Sequence, residues 1–106
     1  PIKEGLIGSY NYIAPEILLD TENINYELCD IYSFGVTMFY LFNCKYLPYI
    51  AASIDDLEYK LYNDDPNQSR CKISTIDNLI MNCISKDPTS RPSIDFIIST
   101  LSSFVN

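Results

Sequence analysis

An uninterrupted apolar segment lies in the first half of the chain. Residues 30–42 read DIYSFGVTMFYLF, and nine of the twelve residues after Asp30 are apolar or aromatic and lie on every side of a helical wheel. A helix that is hydrophobic all round is a buried helix, and a membrane span would need about 20 such residues. The pattern predicts one fully buried central helix over 30–42. Asn43 ends it, because Asn tolerates the left-handed conformation found at helix ends.

Three further segments combine amphipathic spacing with a start signal. One helix is predicted from Ser53 to about Tyr62, another opens at Ser74, and the last follows Ser93. A short helical turn is predicted at about 15–19. The apolar stripe of the last helix consists of Ile94, Ile97, Ile98, Leu101, Phe104 and Val105. Because strand signals are nearly absent, these elements predict an all-α fold with about three amphipathic helices around the central one.

Composition and charge narrow the possible functions. The 106 residues are 47% hydrophobic, enough for one small core, and seven Lys and Arg oppose fourteen Asp and Glu for a net charge of −7. Such a chain is repelled by nucleic acids and by anionic membranes, so neither is expected as a partner. The chain contains no histidine, which excludes Ser-His-Asp hydrolysis, Cys-His proteolysis and most zinc chemistry within it.

The four cysteines fit neither a metal site nor a redox pair. Their separations of 15, 27 and 12 residues match no metal-ligand or Cys-x-x-Cys spacing, so reduced thiols and no metal are expected. The chain opens on Pro1 without a basic and apolar leader. Both features favour an internal piece of a cytoplasmic protein.

Three short stretches differ from generic helix-forming sequence. They read GSYNYIAPE at 8–16, CDIYSFGV at 29–36 and CISKDPTSRPS at 83–93. With Pro48 and Tyr49 between the last two, the chain resembles the C-terminal lobe of the eukaryotic protein kinase family. That family carries G-[TS]-x-x-Y-x-A-P-E, D-x-[WY]-S-x-G, P-[FY] and D-P-x-x-R-P in this order. The resemblance implies that 1–106 is a partial kinase domain, from the end of the activation segment to the last helix.

The resemblance also implies roles for individual residues. Glu16 and Arg91 would form a structural ion pair that ties the activation segment to the turn before the last helix. Asp30 would accept hydrogen bonds from the backbone of the catalytic loop and so anchor it. A simple helix-capping aspartate would explain part of the Asp30 pattern without any catalytic loop.

The loop before the A-P-E motif would receive the substrate. In the family, the residues at Gly8, Ser9 and Tyr12 line the site for the substrate residue that follows the phosphorylated one. A hydroxyl at the Ser9 position is typical of Ser/Thr-directed kinases, whereas tyrosine kinases usually carry a Pro and Trp pattern that this chain lacks. Ser9, Tyr10 and Tyr12 could alternatively be phosphorylation sites.

Departures from the family pattern are modest. Tyr32 stands where Trp is frequent, and Asn43 stands where Gly is common. The run Ser33-Phe34-Gly35 resembles a D-F-G motif that has lost its Asp, but it lies inside the predicted buried helix. We interpret it as a packing segment.

The parts that carry out phosphoryl transfer do not occur in this sequence. It contains no G-x-G-x-x-G, no V-A-I-K, no H-R-D and no D-F-G. The isolated chain is therefore expected to have no catalytic residue, to bind no ATP and to transfer no phosphate. ATP and Mg²⁺ would belong to the full-length family member. The expected partners are the N-lobe and catalytic loop in cis and a protein substrate.

Two other functions are open. A truncated, non-catalytic remnant could act as a protein-binding module, since absent neighbours would leave an apolar patch on the central helix. An unrelated helical interaction domain would explain the helices but not the four ordered motifs. The acidic residues could steer basic substrates or form a solvated helix face; they are Asp55, Asp56, Glu58, Asp64 and Asp65.

Overall fold

The computed structural model describes residues 9–104, and these residues form helices joined by loops, with no strand among them. The helices are α1 (Pro15–Leu18), α2 (Tyr26–Phe42), α3 (Ile54–Asn63), α4 (Ser74–Cys83) and α5 (Ile94–Ser102), with a 3-10 turn at Pro88–Ser90. The predicted all-α class is confirmed.

The central helix α2 begins four residues earlier than the apolar pattern predicted. Asn25 is its N-cap, and the Asn25 Oδ1 atom accepts a hydrogen bond from the Leu28 backbone N–H at 3.2 Å. Asparagine is among the preferred N-cap residues because its side chain satisfies a backbone donor that has no helical partner. Asp30, expected to open the helix, lies in its second turn.

The same helix ends at Phe42, where the sequence placed its end, but Asn43 is not the left-handed residue. Asn43 has φ −123°, and the left-handed residues are Cys44 and Lys45, with φ 55° and 68°. The Asn43 amide instead donates a hydrogen bond of 2.9 Å to the Phe39 carbonyl. The helix end therefore combines this side-chain cap with a left-handed turn one residue later than predicted, which the hydrogen bond of 2.9 Å from the Lys45 N–H to the Tyr40 carbonyl closes.

Two of the three predicted start signals cap their helices. Ser53 accepts a hydrogen bond from the Asp56 N–H, and Ser93 accepts one from the Phe96 N–H, each at 3.1 Å. Ser74 does not act this way. It is the first residue of α4, whose N-cap position is occupied by Ile73 without a side-chain hydrogen bond.

The core forms where α2 packs against α4. A Cβ atom added to Gly35 would lie 2.6 Å from the Cβ of Cys83, so the two helices approach more closely than a side chain at position 35 allows. The main core cluster consists of Ala14, Cys29, Ile31, Tyr32, Val36, Met38, Phe39, Ile76, Leu79, Ile80, Cys83, Ile84 and Ile97. A second cluster consists of Tyr49, Leu57 and Leu61.

The central helix is buried on one side, whereas the apolar wheel predicted burial all round. Phe34, Leu41 and Phe42 retain 37%, 69% and 46% of their surface exposed. Within residues 9–104, the elements in contact with α2 are chiefly α4 and the 3-10 turn. The side of α2 that carries Phe34, Leu41 and Phe42 is therefore largely uncovered by the described elements.

The last helix is also covered along only part of its predicted stripe. Ile97 is buried and Leu101 is half-buried, but Ile94 and Ile98 are exposed. Only part of the apolar stripe of α5 therefore contacts the main cluster. Val105, the last member of that stripe, lies outside the described residues.

None of the described helices is both long and apolar enough to cross a membrane. Cys29 and Cys83 are buried, Cys71 is half-buried, Cys44 is exposed, and none of these thiols is in a disulfide. In the part of the chain that the structure covers, no group of His, Cys, Asp or Glu has an arrangement that could hold a metal ion.

Candidate functional site

The segment 9–14, for which the family resemblance predicts contact with the substrate and which is named the substrate loop after that prediction, lies between the two core clusters. Tyr10 packs against the second cluster, and Tyr12 packs against the main cluster. The backbone turns tightly here, because the N–H groups of Tyr12 and Ile13 donate to the carbonyls of Ser9 and Tyr10 at 3.1 and 3.2 Å. The loop is therefore held by side chains that point to two different clusters.

The resemblance gave roles in this loop to three residues. Ser9 is exposed and Tyr12 is half-buried. Gly8 lies outside the described residues. An interaction of Ser9 or Tyr12 with a substrate stays a prediction.

A hydroxyl of α2 reaches the backbone of the substrate loop. Ser33 Oγ lies 2.5 Å from the Tyr12 carbonyl oxygen and donates a hydrogen bond to it. The sequence interpretation treated residues 33–35 only as packing, so this contact was missed. The one available signal was the family motif itself, which places a Ser at this position.

Glu16 and Arg91 form a buried, bidentate ion pair. Arg91 Nη1 lies 2.7 Å from Glu16 Oε2, and Arg91 Nη2 lies 2.8 Å from Glu16 Oε1. The Arg91 side chain is fully buried, and Glu16 is 9% exposed. The planar guanidinium matches a carboxylate in this paired geometry, which makes such contacts specific as well as strong.

The remaining donors of Arg91 reach two further segments. Its Nε donates to the Ser85 carbonyl at 2.9 Å, and its Nη1 also donates to the Leu28 carbonyl at 3.0 Å. The guanidinium carbon lies 5.0 Å from the centre of the Tyr32 ring, within cation–π range. One side chain thus joins α1, α2 and the loop after α4.

The Cys29 thiol completes the surroundings of the carboxylate. Its Sγ donates a hydrogen bond of 3.3 Å to Glu16 Oε2. Burial and the neighbouring Glu16 raise the pKa of Cys29 to about 11, so the thiol keeps its proton at neutral pH. The sequence offered no signal for this contact, because a buried Cys ordinarily packs as a small apolar residue.

The Glu16 carboxyl is held in its charged form. Burial acts to raise its pKa, but hydrogen bonds from Arg91, from its own backbone N–H and from Cys29 outweigh burial. The net pKa lies below the ordinary value of 4.5. Glu16 is therefore ionised at neutral pH, and the pair is a true ion pair rather than a neutral hydrogen bond.

Asp30 is not brought to this junction. Its side chain is exposed on α2 and forms no hydrogen bond to any residue between 9 and 104. The catalytic-loop motif that it would anchor does not occur in this sequence. The anchoring role of Asp30 therefore stays a prediction.

A second, uncharged junction closes the other end of α2. Besides capping Phe39, the buried Asn43 amide donates to Ser69 Oγ at 3.0 Å, and Asn43 Oδ1 accepts from the Arg70 backbone N–H at 2.6 Å. The Asn43 side chain thus has partners for both its oxygen and its nitrogen. It fixes the segment between α3 and α4 against the end of α2.

Comparison with known proteins identifies the family of this chain. A family model described as protein tyrosine and serine/threonine kinase matches residues 2–101, nearly the whole chain. The chain belongs to this kinase family. The matched residues include the substrate loop, both junctions, helices α1 to α4 and all of α5 except Ser102, so the described all-α fold is the helical part of a kinase domain.

Individual relatives agree with the family match. The kinase R436 of Acanthamoeba polyphaga mimivirus, provisionally named a serine/threonine-protein kinase, is 42% identical over 98% of this chain. The dual specificity mitogen-activated protein kinase kinase mek-1 of Caenorhabditis elegans is 32% identical over 82% of it. The serine/threonine-protein kinase ppk16 of Schizosaccharomyces pombe is 33% identical over 87% of it. The chain spans 38%, 25% and 13% of the lengths of these relatives.

Proposed function

We propose that the protein containing this chain transfers the γ-phosphoryl group of ATP to Ser or Thr hydroxyls of protein substrates. In this proposal the chain supplies the substrate side of the kinase domain. The observation that carries the proposal is the fixed position of the substrate loop. Its two tyrosines are packed in separate clusters, and Glu16, two residues beyond the loop, is fixed by a buried ion pair to Arg91.

In this proposal ATP and Mg²⁺ bind outside this chain. Phosphoryl transfer requires a phosphate-covering loop, a Lys, a catalytic Asp and metal-binding Asp and Asn residues, and the sequence lacks every motif that carries them. We therefore assign ATP and Mg²⁺ to the N-lobe and catalytic loop in cis. No catalytic residue is assigned to this chain.

The contribution of this chain is positioning. A rigid substrate loop lowers the entropic cost of bringing the acceptor hydroxyl into line with the phosphoryl group. Ser9 is exposed at the start of the described loop, and we assign it, with Gly8 and Tyr12, to the contact with the substrate. The names of R436 and ppk16 favour Ser and Thr as acceptors, whereas mek-1 is named as dual specificity.

A transfer assay tests this function. The whole polypeptide and the isolated 106-residue chain would each be incubated with γ-labelled ATP, Mg²⁺ and peptides carrying Ser, Thr or Tyr as the only acceptor. We expect the whole polypeptide to label Ser and Thr peptides and the isolated chain to label none. Labelling of Tyr peptides alone, or activity of the isolated chain, would contradict the proposal.

A non-catalytic binding module is the second candidate. The observation that favours it is the apolar side of α2, where Phe34, Leu41 and Phe42 are exposed. A whole polypeptide that neither binds ATP nor labels any peptide would support this alternative. We also propose a cytoplasmic location, because the thiols are unpaired and the cytoplasm keeps thiols reduced. Cell fractionation would test the location independently.

A further inference from the structure

The Ser33 hydroxyl lies within hydrogen-bond distance of two carbonyl acceptors. A serine in a helix commonly donates to the carbonyl four residues earlier, and Ser33 Oγ lies 3.2 Å from the Cys29 carbonyl oxygen. The Tyr12 carbonyl oxygen is closer, at 2.5 Å. Because a hydroxyl has only one proton to donate, the shorter contact assigns that proton to the substrate loop.

This contact complements the other restraints on the loop. Tyr10 and Tyr12 hold the loop through their side chains, which pack in different clusters. Ser33 holds the loop backbone through the Tyr12 carbonyl, which lies between the Tyr12 and Ile13 amides that donate to earlier carbonyls of the loop. With the carbonyl fixed, the peptide plane that follows Tyr12 cannot rotate without breaking a hydrogen bond.

We propose that Ser33 is a positioning residue for substrate recognition. By fixing the Tyr12 carbonyl, it sets the shape of the loop that receives the substrate residue following the acceptor. This inference rests on the proposed function for its kinetic consequence, but not for its structural one. Since Ser33 acts through the Tyr12 backbone carbonyl, its loss should weaken the binding of peptide and leave the binding of ATP unchanged.

Steady-state kinetics of the whole polypeptide test the proposal. The Ser33→Ala variant should raise the KM for peptide about three- to tenfold, the effect of losing one hydrogen bond, with KM for ATP and kcat within about twofold of wild type. That split is the signature of lost substrate binding. Ser33→Thr keeps the hydroxyl and should restore the KM for peptide. An unchanged KM for peptide in Ser33→Ala, or an equal rise in both KM values, would overturn the inference.

The chain offers a matched control one turn further along α2. Thr37 Oγ1 donates to the Ser33 carbonyl at 3.1 Å within the helix and makes no hydrogen bond to residues 9–14. Thr37→Ala therefore removes a hydroxyl from the same helix without releasing the loop. We expect its kinetics to match wild type, and a shift as large as that of Ser33→Ala would overturn the positioning role.

Amide hydrogen exchange provides a readout that does not depend on activity. In the whole polypeptide, Ser33→Ala should speed exchange at the Tyr12 and Ile13 amides about tenfold, while the amides of α2 keep their rates. Unchanged exchange at these two amides would overturn the inference. If the whole polypeptide transfers no phosphate, the proposed function fails, and the exchange rates still decide whether Ser33 holds the loop.

Discussion

The two ends of the central helix are fastened in different ways. Near its N-terminal end, Arg91 and Glu16 join segments 75 residues apart through buried opposite charges. At its C-terminal end, Asn43 joins segments 27 residues apart through neutral hydrogen bonds. A halved ion pair leaves an uncompensated buried charge, whereas a halved amide network leaves uncharged groups that cost less to strand. The substrate loop is thus adjacent to the junction that is more costly to break.

The largest effect is expected from Arg91→Ala. It leaves the Glu16 carboxylate buried without its partner, which should lower the free energy of unfolding by about 3 to 5 kcal/mol. Urea denaturation of the kinase domain that contains this chain measures this. In the double variant Glu16→Ala with Arg91→Ala, the loss should be smaller than the sum of the single losses by about 0.5 to 3 kcal/mol. Strict additivity would show that the two residues do not act as a pair.

A smaller loss is expected from Asn43→Ala at the other end of α2. The Phe39 carbonyl, the Ser69 hydroxyl and the Arg70 amide lose their partner, which should cost about 1 to 3 kcal/mol in the same denaturation experiment. Asn43→Asp is a useful companion, because it keeps the acceptor for the Arg70 amide but loses the donor to Phe39. A loss for Asn43→Ala equal to that for Arg91→Ala would refute the distinction between charged and neutral junctions.

The hydrogen bond from the Cys29 thiol to Glu16 should contribute less to the free energy of unfolding than either junction. Cys29→Ala removes the donor to Glu16 Oε2 and should cost about 0.5 to 1.5 kcal/mol, the usual range for one hydrogen bond. Cys29→Ser keeps a donor at that position and should lose less. Equal losses in both variants would show that Cys29 contributes through packing alone.

The smallest effect is a dependence of stability on pH, which is seen only on acidification. Because the folded-state pKa of Glu16 lies below 4.5, the folded state binds fewer protons than the unfolded state in this range. The stability from Glu16 is therefore present above about pH 4.5 and is lost as the pH falls through the folded pKa. Denaturation curves between pH 6 and 3 should show a shallower acid decline in Glu16→Gln than in wild type. Parallel declines would contradict the ion pair.

Much of the fold could be predicted from local sequence. The caps at Ser53 and Ser93 and the helix end at Phe42 follow from short-range signals, which depend on neighbours within one turn. The start of α2 at Tyr26 was missed because the prediction began the helix at the apolar run. The N-cap residue Asn25 lies several residues before that run. Ser74 gave a start signal, but it became the first helical residue instead of the cap.

Some contacts of the candidate site could likewise be predicted from the sequence, whereas others could not. The kinase motifs predicted that Glu16 pairs with Arg91. The distances between the guanidinium and the carboxylate, and the burial of both side chains, depend on how residues 75 positions apart come together. The contact of Cys29 with Glu16 and that of Ser33 with Tyr12 carry no signature of their own in the sequence. The first forms only when α2 lies beside α1, and the second only when α2 lies beside the substrate loop.

The sequence by itself determined the all-α class, the kinase family and the absence of ATP-binding motifs from this stretch, because these depend on residue types and their spacing. The tertiary structure decided which groups meet. It placed the left-handed turn at Cys44 and gave Asn43 three hydrogen-bond partners. It also left one side of α2 exposed and directed the single proton of Ser33 to Tyr12 rather than to Cys29. Hydrogen bonds and burial depend on distances of a few ångströms between remote segments, and only the packed chain sets those distances.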